Sequence, residues 1–389
     1  MGGCCQTRSA WETGICGPLV GAHAAQTGSV LDTRRQLGST MSDISQRKTD
    51  HLRLAVEGDV AFRNRSALFE CVDLVHNALP ELSVDEVDLK VNVLGKVLNA
   101  PLLIAGMTGG TADAGRINRE LASIAEESGY AFGLGSQRAM LKNPAATSTF
   151  QVREVAPNAL VLGNIGMTQA RELGTDQLAE LCQSVGTDAL CVHLNPAMEL
   201  IQAEGDRDFR GGEDLFRRLA ADLPVPVIAK ETGCGIAPGV ARRLLASGVR
   251  HVDVSGAGGT SWVAVETQRA QPEQKKLGEQ FWDWGIPTAA SVALLAPLGF
   301  RTVFATGGVS NGMTVARALA LGASVCGIAR PVLQALETSG RAGALSYLKQ
   351  LETELRTAMV LVGATNLTAL RAAPRIIRGE LRDWITQLG

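Results

Sequence analysis

The sequence predicts a (β/α)8 TIM barrel of the α/β class, with an N-terminal extension and an insertion after strand 6. Three observations carry that prediction. Eight short apolar runs recur between residues 101 and 330, rich in small or β-branched residues and apolar on both faces, as buried parallel strands are. Between them lie stretches with apolar residues at helical spacing, such as 116–128, 212–223 and 238–247. The 389 residues also hold 43 glycines against 9 Phe, 5 Trp and 2 Tyr. That balance suits many tight turns and a barrel interior filled by branched aliphatics. A doubly wound open sheet is the alternative that the same alternation allows.

In chain order, residues 1–40 show no apolar periodicity and are expected to be disordered or not translated, with Met41 as the start. Residues 41–389 then form one domain. In its extension, Val72–Leu79 and Leu89–Val97 read as a short strand or hairpin closing the barrel bottom. The barrel proper covers about 101–330. Its strands are Leu102–Met107, Tyr130–Leu134, Ala159–Leu162, Ala189–His193, Val225–Lys230, Val249–Val254, Thr302–Ala305 and Ser324–Ile328. The longest gap separates the sixth and seventh runs. Its extra material, 257–288, is Gly-rich, then charged, with Trp262, Trp282 and Trp284. An insertion there lies on the catalytic face and reads as a lid. Residues 331–389 read as helices broken at Gly363.

Composition excludes several functions. A formal net charge of −2 argues against nucleic-acid binding. No apolar stretch reaches the ~18 residues of a membrane span. The 8 cysteines form no Cys-x-x-Cys pair, which argues against zinc and disulfide frameworks and for a cytoplasmic protein.

Barrel chemistry gathers where strands end. These ends carry Met107-Thr108-Gly109-Gly110, Gly135-Ser136-Gln137-Arg138, Gly163-Asn164-Ile165-Gly166 and His193-Leu194-Asn195. Strands five to eight add Lys230-Glu231-Thr232-Gly233, Ser255-Gly256-Ala257-Gly258-Gly259-Thr260, Gly307-Gly308 and Gly327-Ile328-Ala329-Arg330. A scaffold needs no such group at all eight ends, so they predict a ligand site. Gly307-Gly308, the helix start at Asn311, and Gly327 with Arg330 predict a phosphate corner. Glu199 has two readings of equal weight: a helix-capping carboxylate, or a Mg²⁺ ligand supplemented by substrate phosphate and water. Lys230, on an otherwise apolar strand, needs an anion opposite: a cofactor ring, a phosphate or a structural carboxylate. Arg47-Lys48-x-x-His51 reads as a solvated basic face, or as a segment folding over the barrel mouth onto a diphosphate.

Taken together, these motifs resemble one family, the flavin-dependent type 2 isopentenyl-diphosphate isomerases, from about Ser45 to the C-terminus. The resemblance rests on the Arg47 segment and, in order, the motifs at 107–110, 135–138, 163–166, 193–196, 230–235, 255–262 and 307–308. It implies isomerisation of isopentenyl diphosphate to dimethylallyl diphosphate in isoprenoid biosynthesis, with reduced FMN, NADPH as reductant and Mg²⁺. By match, FMN meets Met107, Thr108, Gly109, Ser136, Asn164, Lys230 and Thr260, and its phosphate meets Gly307, Gly308, Ala329 and Arg330. The substrate meets Arg47, Lys48, His51, Ser136, Arg138, His193 and Met198. Glu199 matches the metal ligand. His193, Asn195, Glu266 and Lys230 match the catalytic positions. The family also implies a homotetramer or larger assembly.

One position departs from the family: Met198 stands where a Gln usually precedes the metal-binding Glu. A thioether neither relays a proton nor donates a hydrogen bond. Two rivals share the barrel. An FMN-dependent 2-hydroxy-acid oxidase or dehydrogenase needs a base, usually a His late in the barrel, but no histidine follows His251. A non-catalytic phosphometabolite-binding barrel has no need of Lys230, Glu199 and Glu266 together.

Overall fold

Each of the eight apolar runs forms a strand because both of its faces find apolar partners. The computed structural model describes residues 50–389. The expectations for 1–40, for Met41, and for Arg47 and Lys48 lie outside the described residues. The barrel strands are β1 (Leu102–Ile104), β2 (Ala131–Gly133), β3 (Leu160–Gly166) and β4 (Ala189–Leu194), then β5 (Val227–Glu231), β6 (His251–Asp253), β7 (Thr302–Thr306) and β8 (Val325–Ile328). They close into a parallel barrel in sequence order, with Cys326 of β8 level with Leu102 of β1. This is the predicted (β/α)8 architecture. The open sheet is excluded by that closure.

The helices between strands start and stop for local reasons. Thr111 caps Ala112–Ser128 by accepting from the Ala114 N–H, and Gly129 ends it in the left-handed region (φ 71°). Ala237 precedes Pro238–Ala246, whose proline at the first helical position lacks an N–H that would have no partner there anyway.

The barrel bottom is closed as expected, by a smaller unit. Val91–Val93 and Lys96–Leu98 pair as an antiparallel hairpin. Val93 and Leu98 pack into the apolar barrel interior with Leu103, Leu160, Ile228, Phe304 and Val325. Lys96 fixes the hairpin to the rim by donating to the Asn158 and Ala159 carbonyls and pairing with Asp188. Val72–Leu74 takes no part in this plug. It pairs antiparallel with Arg375–Ile377 near the C-terminus, a strand the sequence reading assigned to helix.

The C-terminal region is otherwise helical: Arg330–Leu361, Leu367–Ala372 and Gly379–Leu388. Gly363 (φ 72°) follows the first helix as predicted, but that helix is also broken at Gly340 (φ 63°, ψ −166°). The insertion after β6 contributes Trp262–Arg269 and Pro272–Gln280. Trp282 is buried and donates to the Ala61 carbonyl at 2.9 Å, so the insertion packs on the N-terminal extension.

Candidate active site

The strand ends open into one cavity of about 430 Å³, within the range of small-molecule sites. Most predicted residues lie on its wall: His51, Met107, Thr108, Ser136, Arg138, Asn164, His193, Asn195, Met198, Glu199, Lys230, Thr260, Gly307, Gly308, Ala329 and Arg330. Gly109 and Glu266 do not. Gly109 is set against Phe150, where a Cβ would stand 2.0 Å from the ring. Glu266 lies behind His51, with Oε1 at 2.8 Å from His51 Nε2 and Oε2 accepting from Arg269 at 2.9 Å. The Trp262 ring meets the His51 ring edge-on, centroids 5.2 Å apart. His51 itself sits on a helix over residues 50–57, seated on the insertion.

Strand register sets the floor of the cavity. His193 of β4 is level with Lys230 of β5, which is level with Asp253 of β6. Lys230 Nζ donates to Asp253 Oδ2 at 2.7 Å, and Thr306 at the end of β7 donates to Asp253 Oδ1 at 2.6 Å. The structural carboxylate is therefore present, and Lys230 still faces the cavity at 12% exposure. His193 is oriented from β3. Asn164 Nδ2 donates to the Leu134 carbonyl, which turns Asn164 Oδ1 toward His193 Nδ1 at 2.8 Å. The Asn164 backbone is in turn clasped by Gln137, whose side-chain oxygen accepts from the Asn164 N–H at 2.8 Å. Asn164 thus holds His193 as well as lining the space expected for FMN.

Glu199 does not cap its helix. Oε1 accepts from Asn195 Nδ2 and Oε2 from the Asp206 N–H, each at 2.9 Å. It is 5% exposed, and among the described residues no Lys, Arg or His pairs with its carboxylate. A buried carboxylate on a cavity wall without a counter-charge suits a cation held there. Among the described residues no group of three or more His, Cys, Asp or Glu forms a metal cage. The fitting ion is one that takes its other ligands from water and phosphate, as Mg²⁺ does.

The corner expected to take a phosphate is built differently from expectation at one point. The helix at Asn311 does not serve it. Asn311 caps that helix through Thr314 N, and Glu354 accepts from the Gly312 N–H at 2.6 Å. The helix that starts at the cavity wall is instead the one beginning at Arg330. Ala329 precedes it, and among the described residues no side chain caps its N–H groups, an arrangement that suits an anion. Gly307 (φ 97°) and Gly308 (φ 74°) bring backbone to the same corner, and a Cβ on Gly307 would stand 2.2 Å from the Gly256 oxygen. The Arg330 guanidinium donates to the Ala55 and Gly58 carbonyls at 2.8 and 2.7 Å, so it seats the extension above the corner. The Thr108 hydroxyl, buried on the wall, has no hydrogen-bond partner among the described residues. An unpaired donor beside uncapped helix amides and a glycine corner fits a cofactor with polar ring edges and a phosphate, as FMN has.

Sequence reading missed Asp253, Thr306, Gln169 and Asp206, and gave Gln137, quoted within a strand-end motif, no role of its own. An acid between two valines in β6 was the available signal for Asp253. Asp206 gave none, because it lies well past a strand end. Glu231, part of a recognised motif, is buried behind the wall, where its Oε2 accepts from the N–H groups of Thr232, Gly233 and Cys234. Burial pushes its carboxyl up to about 7 from an ordinary 4.5, opposed by those three N–H groups and by Lys230. The folded state therefore holds this proton more tightly than the unfolded chain. That contribution to stability is full below about 4.5 and is lost as pH rises through about 7. Glu231→Gln keeps an oxygen for the three N–H groups and cannot ionise. Relative to this variant, the wild type is expected to lose about 3 kcal/mol between pH 5 and 8. Urea unfolding at both pH values measures it, and parallel pH dependence of the two proteins would refute it.

Known proteins resemble this chain at two levels. It is 44% identical over 351 residues to an isopentenyl-diphosphate delta-isomerase of Methanosarcina acetivorans, covering 89% of this chain and 95% of that one. It is 41% identical over 350 residues to the enzyme of that name from Thermococcus kodakarensis, covering 88% and 93%. A sequence model described as FMN-dependent dehydrogenase matches residues 197–377. Among solved structures, a Pediococcus acidilactici putative lactate oxidase superposes with a TM-score of 0.62 at 16% identity, covering 88% of this chain and 94% of that one. A mandelate oxidase variant with a monooxide FMN adduct gives 0.58 at 17%, covering 88% and 100%. At such identities these two show a shared barrel and nothing finer.

Proposed function

The chain belongs to the isopentenyl-diphosphate delta-isomerase family, in its flavin-dependent type 2 form, and from that premise we propose that it converts isopentenyl diphosphate into dimethylallyl diphosphate. The observation that carries the reading is one cavity in which Lys230, His193, Glu199 and the glycine corner of β7 meet. FMN is the cofactor, NADPH its reductant and Mg²⁺ the metal. A cytoplasmic homotetramer or larger, without membrane or nucleic-acid partner, completes the proposal. Among the described residues no helix is long and apolar enough to cross a membrane.

The reaction adds a proton to one unactivated carbon and removes one from another, with no net change in protons or electrons. Bound FMN, in its reduced form, supplies the acid and base strength that no side chain here has. The chain's residues bind, orient and neutralise. Thr108, Asn164 and Thr260 meet the ring, Lys230 holds a positive charge beside it, and Gly307, Gly308 and the amides at Ala329–Arg330 take its phosphate. Met107 and Ser136 complete that contact set by family match, whereas Gly109 lies off the wall against Phe150. Arg138, His193 and His51, with Arg47 and Lys48, take the substrate diphosphate, and Glu199 holds Mg²⁺ against it. Asn195 fixes Glu199, and Glu266 fixes His51.

Met198 lies on the wall, its sulfur 3.8 Å from Asn195 Nδ2. It packs against the apolar tail rather than moving a proton. Met198→Gln is therefore expected to change turnover by less than about tenfold, under the ~10²-fold that proton relay commands at minimum. A rise of tenfold or more in kcat would show that the missing amide limits catalysis.

The oxidase reading requires a base beside the flavin. His251 is not on the cavity wall, its Nδ1 is 3.0 Å from Thr302 Oγ1, and burial, aided by Arg301, pushes it down to about 4. The deciding assay is purified protein with FMN, NADPH, Mg²⁺ and isopentenyl diphosphate under anaerobic conditions. Dimethylallyl diphosphate is the expected product. Its absence from flavin-loaded protein overturns the proposal.

A further inference from the structure

The loop after the helix Pro196–Ile201 folds back over Glu199 and is locked there. Arg207 Nη1 donates to the carbonyls of Glu199, Gly205 and Asp206, and Nη2 to that of Gln202 at 2.8 Å. In this fold the Asp206 N–H reaches Glu199 Oε2 at 2.9 Å. The Asp206 side chain grips a different strand end. Its Oδ2 accepts from the Thr168 hydroxyl at 2.6 Å and from Gln169 Nε2 at 2.9 Å. Thr168 and Gln169 belong to the short helix Met167–Arg171 directly after β3. Gln169 and Glu199 both face the cavity. One residue outside the cavity therefore ties together two groups inside it, one from the end of β3 and one from beyond β4.

We propose that Asp206 is a positioning residue for the divalent cation at Glu199. The inference rests on the metal reading given above. A carboxylate has about four lone-pair sites. Glu199 uses one for Asn195 and one for Asp206, so these two bonds fix the carboxylate plane and leave the remaining sites to a cation. The Asp206 N–H keeps its place only while its carboxylate is anchored to Thr168 and Gln169. Without that anchor, Glu199 turns about its terminal bond, and Gln169 Nε2 keeps only the Thr168 hydroxyl at 2.7 Å as a partner. Partners of metal ligands at one remove typically matter by about 10–100-fold in metal affinity.

The test is Mn²⁺ binding to the FMN-loaded protein with inorganic diphosphate, read as free Mn²⁺ by electron paramagnetic resonance. The flavin spectrum and thermal midpoint serve as folding checks. Asp206→Ala is expected to weaken Mn²⁺ binding about tenfold or more. Asp206→Asn keeps an oxygen for both donors and is expected to restore most of it. In turnover, the Mg²⁺ concentration for half-maximal rate rises, while kcat at saturating Mg²⁺ changes less. If Asp206→Ala does not fold, Thr168→Val is read in its place: weakening of about threefold or more supports the inference, and unchanged affinity overturns it. Wild-type affinity in Asp206→Ala, with Glu199→Gln weakened, overturns the positioning role alone. Equal affinity in the wild type and Glu199→Gln overturns the metal reading and the inference with it.

Discussion

Lys230→Met is expected to lower kcat/KM by about 10²–10³, the scale on which removal of one preorganised charge-stabilising donor acts. The same change is expected to lower stability by about 3–5 kcal/mol, because it leaves a buried charge unpaired. Lys230 is 12% exposed and Asp253 4%, with 2.7 Å between Nζ and Oδ2. Without the ammonium, the Asp253 carboxylate retains Thr306 and the Ser255 N–H, which donate hydrogen bonds but carry no charge. Lost activity therefore has two possible sources, a missing cation at the cavity or a damaged floor. The double variant Lys230→Met with Asp253→Asn separates them. Both charges leave together, so urea unfolding should return close to wild type while turnover stays low. Recovery of turnover in the double variant would show that Lys230 serves only to neutralise Asp253.

The same pair shows what the sequence could convey and what it could not. All eight strands were legible because each is buried on both faces, so each reads as a short unbroken apolar run. A lysine on such a run was visible as an anomaly. Its partner was not assigned, since the pairing depends on parallel register between β5 and β6. The strand Val72–Leu74 was half visible, and Arg375–Ile377 not at all. Its residues are largely exposed and are held by partners some 300 positions away, so no local period marks them. The glycines expected to take a phosphate do line the cavity, but the helix start at Asn311 that was expected to support them does not. Asn311 does cap its helix as its residue type suggests, yet Glu354, remote in sequence, takes the Gly312 N–H. Strand ends were thus readable because their glycines and polar groups are local. Supports such as Thr306 and Asp206 were hidden because their partners lie on other strands and loops.

Glu199→Gln is expected to move activity and apo-protein stability in different directions. Loss of the carboxylate removes the one charged group proposed to hold Mg²⁺ against the diphosphate. Turnover should fall by about 10²-fold or more, and added Mg²⁺ should no longer stimulate it. Stability without metal should respond little or rise. The carboxylate is buried, has no paired cation among the described residues, and keeps only two neutral donors, Asn195 Nδ2 and the Asp206 N–H. A neutral amide removes that desolvation cost, and its oxygen still accepts one of the two bonds. The second donor can be satisfied if the Asn195 amide turns over. The net change is therefore within about 1–2 kcal/mol, in contrast to the large loss from breaking a true ion pair. Thermal unfolding with and without Mg²⁺ and diphosphate checks this. The wild type should gain stability from the pair of ligands, and Glu199→Gln should gain little. A large destabilisation of the metal-free variant would mean that Glu199 is a structural carboxylate holding the 202–206 loop. Because the two readings predict opposite responses in metal-free protein, this measurement separates them without relying on turnover.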